Sequence, residues 1–392
     1  MHLTTEEEAL LDSSNPAERK AMNLLVELGD IYGADRLVEI GSAQASGISY
    51  KSIGDPGVQF LESFAEEGAK ASVPTFTNPA GMDFEQYEAV GVDESFAQNQ
   101  RRIRDALDAM GITLSFTCTP YLAGNLPRAG EHVAWAESSA VSFANSVIGA
   151  KTNREGGPSA IAAAITGRTP EHGLHLDHNR RPTHRVRVDA DLDSTADIAA
   201  LGSWVGRRVE DGIPYFSGIE AADTDDLKAL GAAMAASGAV ALYYVEDLTT
   251  DRDPPTGVES LSVGDAELDN EYDRLRTDAD PDLVVIGCPH ASPAEIAEIA
   301  ARVDGESLDA DLWVCTSAAV RAQAERNGHV ATIEAAGGSV LADTCNVVAP
   351  IEAMDYAVTA TDSAKAANYL PGFCEQTVVF DDRASLIEGV LA

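Results

Sequence analysis

A multi-lobed α/β fold, with parallel or mixed sheets covered by helices, follows from three features of the 392-residue sequence. From Leu283 to Tyr369, apolar strand-like runs alternate with helix-like segments, the order that builds a parallel sheet between helices. Hydrophobic residues make up 45% of the chain, enough for packed cores rather than disorder. The length suits two or three lobes, or one large domain with insertions.

The elements are read in order as follows. Pro16–Gly29 is a helix: Asn15 caps it, Pro16 takes its first position, and apolar residues recur at helical spacing. Arg36–Ile40 is a short strand, followed by a Gly/Ser loop over 41–51. Val58–Glu67 is a helix, Val73–Phe76 a strand, and Thr77–Met82 a turn. The helix Ser95–Met110 leads into an expected strand, Ile112–Thr117. Pro120–Thr183 is rich in Gly, Asn, Ser, Arg and His and has one clear helix, Pro158–Ile165. A stretch this long with so little regular pattern is usually functional. Helices Thr195–Arg208 and Thr224–Ala236 precede the strand Ala239–Val245, and the acidic, turn-rich stretch Leu248–Pro281 reads as a linker. The alternating remainder is Leu283–Gly287, Pro293–Val303, Leu312–Thr316, Ala318–Asn327, Ser339–Ala342, Tyr356–Thr359 and Ser363–Tyr369. We divide the chain into an N-terminal lobe (1–150), a middle region (151–275) and a C-terminal lobe (276–392).

Asp and Glu number 64 against 27 Lys and Arg, a net charge of −37. That balance suits a protein working in concentrated salt, where a short screening length mutes self-repulsion. It argues against a nucleic-acid partner, whose phosphates would be repelled. No apolar run is long enough to span a membrane, and Met1–Glu8 lacks a signal-peptide core, so a cytoplasmic protein is expected. Asp189–Asp193 resembles a calcium loop only at its start, since Ser194 and Ala200 stand where the turn glycine and the bidentate Glu belong.

Five cysteines, an odd count without Cys-x-x-Cys pairs, exclude a zinc ribbon and argue against a disulfide framework. Cys118, Cys288 and Cys345 each follow an apolar strand-like run, and ligands collect beyond the carboxyl ends of strands in open α/β sheets. Three thiols there would suit an iron–sulfur cluster with one iron left open; for each alone, an inert buried thiol is the commoner alternative. Cys315 and Cys374 are read as structural.

The loop Gly41–Lys51 suits a carboxylate or phosphate but lacks the dinucleotide fingerprint, and an ordinary strand-to-helix turn is the alternative. Asn78 offers an amide in a tight turn, and Arg154 a guanidinium fork. Three of the six lysines, Lys51, Lys151 and Lys365, fall in polar segments, where anion binding is a natural use. Ser363 and Lys365 open a helix and would suit an anion there; a plain cap is the alternative. No His-Glu-x-x-His pair marks zinc hydrolysis.

Several stretches together resemble the aconitase X family: Leu28–Gly33, Ser46–Asp55, Asn78–Asp83, Cys118-Thr-Pro-Tyr121, Glu131–Ser139, Lys151–Ala160, Ala239–Tyr243, Gly287-Cys-Pro-His-Ala-Ser292, Ala342-Asp-Thr-Cys345 and Ser363–Pro371. They run nearly the full length. The resemblance implies an aconitase-like fold and a hydro-lyase carrying an iron–sulfur cluster (4Fe-4S), held by Cys118, Cys288 and Cys345 with one iron open. It implies a small anionic substrate, (R)-5-phosphomevalonate dehydrated to trans-anhydromevalonate 5-phosphate, with cis-3-hydroxy-L-proline the alternative. Gly47, Ile48, Ser49, Asn78, Pro79, Ser138, Ser139, Arg154, Ser363 and Lys365 are the implied substrate-binding residues. A small swivelling-domain subunit is the implied partner, and the catalytic base is expected there. An iron-sensing, RNA-binding relative is the non-enzyme alternative, and the charge speaks against it.

Overall fold

The computed structural model describes residues 1–250 and 252–392; Asp251, inside the stretch read as a linker, lies outside the described residues. The described strands form four sheets. In the N-terminal part, Asn15 accepts hydrogen bonds from the Ala17 and Glu18 N–H groups and starts the helix Pro16–Tyr32, which buries Ala21, Met22 and Leu25. Ala43–Ala45 is the central strand of a parallel three-stranded sheet, between Thr75–Thr77 and Ala134–Trp135. The helix Gly157–Thr166 packs on that strand and on Pro16–Tyr32, where its small alanines allow close approach. Leu37–Glu39 pairs antiparallel with Arg168–Pro170.

The second large sheet is parallel, in the order Tyr244–Val245, Pro214–Ser217, His184–Val188, Glu259–Val263. The third is a five-stranded parallel sheet in the order Ser339–Ala342, Asp311–Thr316, Leu283–Ile286, Val358–Thr361, Thr377–Phe380. Val285 sits opposite Trp313, and Val284 opposite Leu312 and Ala360. All four residues of Leu283–Ile286 are buried, as a central strand covered on both faces requires. The α/β prediction therefore holds. No helix among the described residues is long and apolar enough to cross a membrane.

Several local expectations change. Ile112–Thr117 is not a regular strand: a single bridge joins Thr113 to Phe76, and Phe116 turns to φ 38°, which ends the pairing. The loop 41–51 contains the buried strand Ala43–Ala45, too short for alternation to show. The helix after it starts earlier than expected, at Tyr50, and kinks at Gly54. The stretch Leu248–Pro281 is not simply a linker, because Glu259–Val263 pairs with His184–Val188 and Asp265–Leu275 is a helix. Of Ala239–Val245, only Tyr244–Val245 is strand. Pro120–Thr183 also holds a second helix, the fully buried Ser138–Phe143.

Candidate active site

The site is assembled from segments that leave the carboxyl ends of parallel strands. Ala43–Ala45 delivers Gly47, Ile48 and Ser49; Thr75–Thr77 delivers Asn78 and Pro79; Ala134–Trp135 delivers Glu137, Ser138 and Ser139. In the five-stranded sheet, Leu283–Ile286 delivers Cys288, Ser339–Ala342 delivers Cys345, and Val358–Thr361 delivers Ser363 and Lys365. Gly287 makes the exit toward Cys288 possible. Its φ is +106°, and a Cβ there would stand 2.1 Å from the Cys315 carbonyl oxygen.

The two sheets are tied together around the cavity. Ala80 N–H donates to the Asp343 carbonyl at 2.8 Å, Ala342 N–H donates to Asp83 Oδ2 at 2.8 Å, and Ser49 Oγ donates to the Val348 carbonyl at 2.9 Å. The result is a cavity of about 250 Å³ lined by Gly47, Ile48, Ser49, Asn78, Pro79, Cys118, Ser138, Arg154, Cys288, Cys345 and Lys365. Of the expected cluster and substrate-binding residues, Ser139 and Ser363 stand behind the lining. Ser139 bonds both Glu137 and Lys365, and Ser363 Oγ donates to the Cys288 carbonyl.

Sequence reasoning missed Glu137. Its Oε1 lies 2.5 Å from Lys365 Nζ and accepts from Ser138 Oγ at 3.2 Å. Its Oε2 accepts from Ser139 Oγ and Ala140 N–H, both at 2.6 Å. Burial alone would raise this carboxyl, but the charge and hydrogen bond of Lys365, with those of Ser139 and Ala140, bring it down to about 2. Burial works against the Lys365 ammonium, yet Glu137, Cys288 and Cys118 hold its pKa above the ordinary value. The pair is therefore ionised inside the protein. Glu137 lies within the Glu131–Ser139 stretch that carries the family resemblance, and it caps a helix too short to detect from sequence.

Lys51 and Lys151 take other roles. Lys51 bonds the Ala349 carbonyl at 2.9 Å and Glu352 at 2.6 Å, and Lys151 pairs with Asp177 at 2.7 Å. Arg154 is exposed at the cavity and has no ion pair or side-chain hydrogen bond among the described residues. In a chain with 64 acidic residues, such a guanidinium is kept for something else.

The three thiols meet at this cavity. Cys288 and Cys345 perturb each other, which brings the Cys345 thiol down to about 7 and pushes Cys288 up, and burial pushes Cys288 further. Burial pushes Cys118 up to about 12. Among the described residues, no group of three or more His, Cys, Asp or Glu is placed to hold a metal ion. A cluster's thiolates bind separate irons and need not converge on one point. The donor set fits such a group: three thiols face one cavity, a lysine beside them offsets thiolate charge, and the one nearby carboxylate is already engaged. Cys315 is fully buried in mid-strand and Cys374 is buried at a helix end, as structural thiols are.

The fold and this thiol-lined cavity define an aconitase-type protein, and the chain belongs to the aconitase X family. Models of the aconitase X first, second and third domains match residues 1–178, 182–273 and 281–392. The phosphomevalonate dehydratase large subunit of Methanocaldococcus jannaschii is 52% identical, over 99% of this chain and 100% of that one. The crystal structure of Thermococcus kodakaraensis aconitase X in its holo-form superposes with a TM-score of 0.94 at 46% identity, covering all of both chains. The cis-3-hydroxy-L-proline dehydratase of Pseudomonas aeruginosa is 34% identical over 96% of this chain and 67% of that protein.

Proposed function

We propose that this chain is the large subunit of a phosphomevalonate dehydratase, a hydro-lyase that removes water from (R)-5-phosphomevalonate to give trans-anhydromevalonate 5-phosphate. The observation that carries the reading is one cavity that joins three thiols, an internal Lys–Glu pair and an unpaired arginine, in a chain half identical to such subunits over its full length. A small partner subunit, as the name of those relatives implies, completes the enzyme.

Cys118, Cys288 and Cys345 are assigned as ligands of an iron–sulfur cluster, which when bound supplies a Lewis acid for the departing tertiary hydroxyl. The chain's own residues do the rest. Arg154 grips the phosphate: a guanidinium fork takes a carboxylate or a phosphate, and the substrate carboxylate is assigned to Lys365. Lys365 places a fixed positive charge in the cavity where the substrate carboxylate collects further negative charge as the neighbouring C–H is broken. Asn78 Oδ1 is buried and has no hydrogen-bond partner among the described residues, so it is free to accept from a substrate hydroxyl. Gly47, in the left-handed region at φ +67° with open space around it, lets the Gly47–Ser49 backbone approach the ligand.

The base is not assigned to this chain. Glu137, the carboxylate in the cavity, spends both oxygens on Lys365, Ser138, Ser139 and Ala140. The partner subunit, a swivelling domain, is its expected source. A cytoplasmic, high-salt setting is in keeping with the net charge of −37.

The alternative substrate, cis-3-hydroxy-L-proline, has no phosphate to engage Arg154. The test is product analysis by mass spectrometry on the holoenzyme with its partner, offered each substrate in turn. Water loss from phosphomevalonate alone is expected; turnover of hydroxyproline alone would replace this reading.

A further inference from the structure

We infer that His290 is a positioning residue that sets the spacing of the three cysteine segments. The inference rests on reading Cys118, Cys288 and Cys345 as cluster ligands. Nothing in the sheet does this job directly. Leu283–Ile286 and Ser339–Ala342, which precede Cys288 and Cys345, are separated by Asp311–Thr316, so no ladder joins their ends. Cys118 follows no regular strand.

His290 lies two residues past Cys288 and is fully buried. Its backbone N–H donates to Cys118 Sγ at 3.2 Å. Its ring Nε2 lies 2.7 Å from the carbonyl of Thr344, the residue before Cys345. Its ring Nδ1 lies 3.0 Å from Oγ1 of Thr117, the residue before Cys118. One residue thus bonds all three ligand segments. A carbonyl oxygen only accepts, so Nε2 carries the proton and Nδ1 accepts from the Thr117 hydroxyl. Thr119 N–H donates to the same hydroxyl oxygen at 3.1 Å, and Thr119 Oγ1 lies 3.0 Å from it. Lys228 Nζ contacts the His290 carbonyl at 3.4 Å and anchors the residue from behind. With both ring nitrogens engaged, His290 acts through the cysteines and is not itself a metal ligand. Residues that orient ligands in this way govern metal affinity by about 10- to 100-fold.

The test uses His290→Ala, His290→Gln, which keeps a donor near the Nε2 position, and Thr117→Val, which removes one donor with little change of shape. Each is reconstituted anaerobically, then assayed for iron and sulfide per chain, electron paramagnetic resonance line shape after one-electron reduction with dithionite, and rate of iron loss to a chelator. The expected result is iron loss faster by about tenfold or more in His290→Ala, a smaller change in Thr117→Val, an altered line shape in both, and partial recovery in His290→Gln. Wild-type iron content, line shape and loss rate in His290→Ala would overturn the inference, and Thr117→Val carries the same test if His290→Ala does not fold. A wild-type chain that takes up neither iron nor sulfide would instead overturn the cluster reading beneath it.

Discussion

The thiol-lined cavity and the crevice beyond Val188 occupy the same kind of place in the topology and differ in chemistry. Both lie past the carboxyl ends of parallel strands. The first, about 250 Å³, gathers three cysteines, Lys365, Arg154 and several serines from two sheets. The second, about 510 Å³, is lined by Val188–Asp193 and Gly218–Ala221, with acids as its only charged groups. The larger opening is the less equipped one. Parallel sheets make crevices wherever strands end, and the side chains delivered there decide whether a crevice is a site. In this acid-rich chain the informative residues are the rare cations and thiols, because carboxylates occur on every surface.

Substitutions that break this contrast rank by size. The largest effect is expected from Cys118→Ser, Cys288→Ser or Cys345→Ser. Each should lower turnover by about a thousandfold, corresponding to about 4 kcal/mol of barrier, and lower bound iron in parallel. Cys374→Ala, outside the cavity, should keep its iron. Turnover and iron measured on the same preparations decide this.

Next comes Lys365→Ala, which leaves Glu137 buried without its counter-charge. Breaking such a pair costs about 3–5 kcal/mol, read as a shift in the urea midpoint of the chain. Asp191→Asn, in the acidic crevice, should change stability by less than about 0.5 kcal/mol. Equal effects of the two would erase the distinction between the openings.

Arg154→Ala should raise KM for phosphomevalonate by about tenfold or more, the equivalent of about 1.5–3 kcal/mol for a charged hydrogen bond, with no change in melting temperature. An unchanged KM would remove Arg154 from the phosphate.

A further effect lies outside both openings and depends on pH. Burial holds the His175 imidazole down, to about 3 from an ordinary 6.5. The unfolded chain therefore binds this proton more readily than the folded one. The contribution of His175 to stability is complete above about pH 6.5 and fades as the pH falls toward 3. Glu295 behaves alike at lower pH. Burial alone would raise it, but Lys228 and Arg383 hold it to about 2, so its contribution fades from about 4.5 down to 2. His175→Gln should flatten the loss of stability between pH 6.5 and 4, measured by denaturation at a series of pH values; an unchanged slope would contradict this.

The sequence was most legible where elements are long or fully apolar. Pro293–Val303 and Ser339–Ala342 appear with the expected bounds, and Leu283–Gly287 differs by one residue, because periodicity and continuous burial mark them. It was least legible where tertiary contacts override the local pattern. Ile112–Thr117 has a strand's composition, yet Phe116 turns out of the ladder. His184–Val188 is a strand whose exposed Arg185 and Arg187 alternate with buried Val186 and Val188, a period-2 pattern only five residues long and easily passed over. The substrate-loop residues are named through motif positions shared with the aconitase X family; the clustering of small and hydroxyl residues in 41–51 is equally open to an ordinary turn. Glu137 is not named in this way, because its partner Lys365 lies 228 residues away in sequence and only the fold brings them together.

The central claim is that Cys118, Cys288 and Cys345 together hold the group that makes this cavity reactive. Anaerobic purification with the partner subunit, followed by iron, sulfide and turnover measurements on one sample, tests it most directly. The account predicts a coloured protein with about four irons per chain that dehydrates phosphomevalonate and loses colour and activity together on Cys118→Ser. A colourless, iron-free preparation with full activity would contradict it.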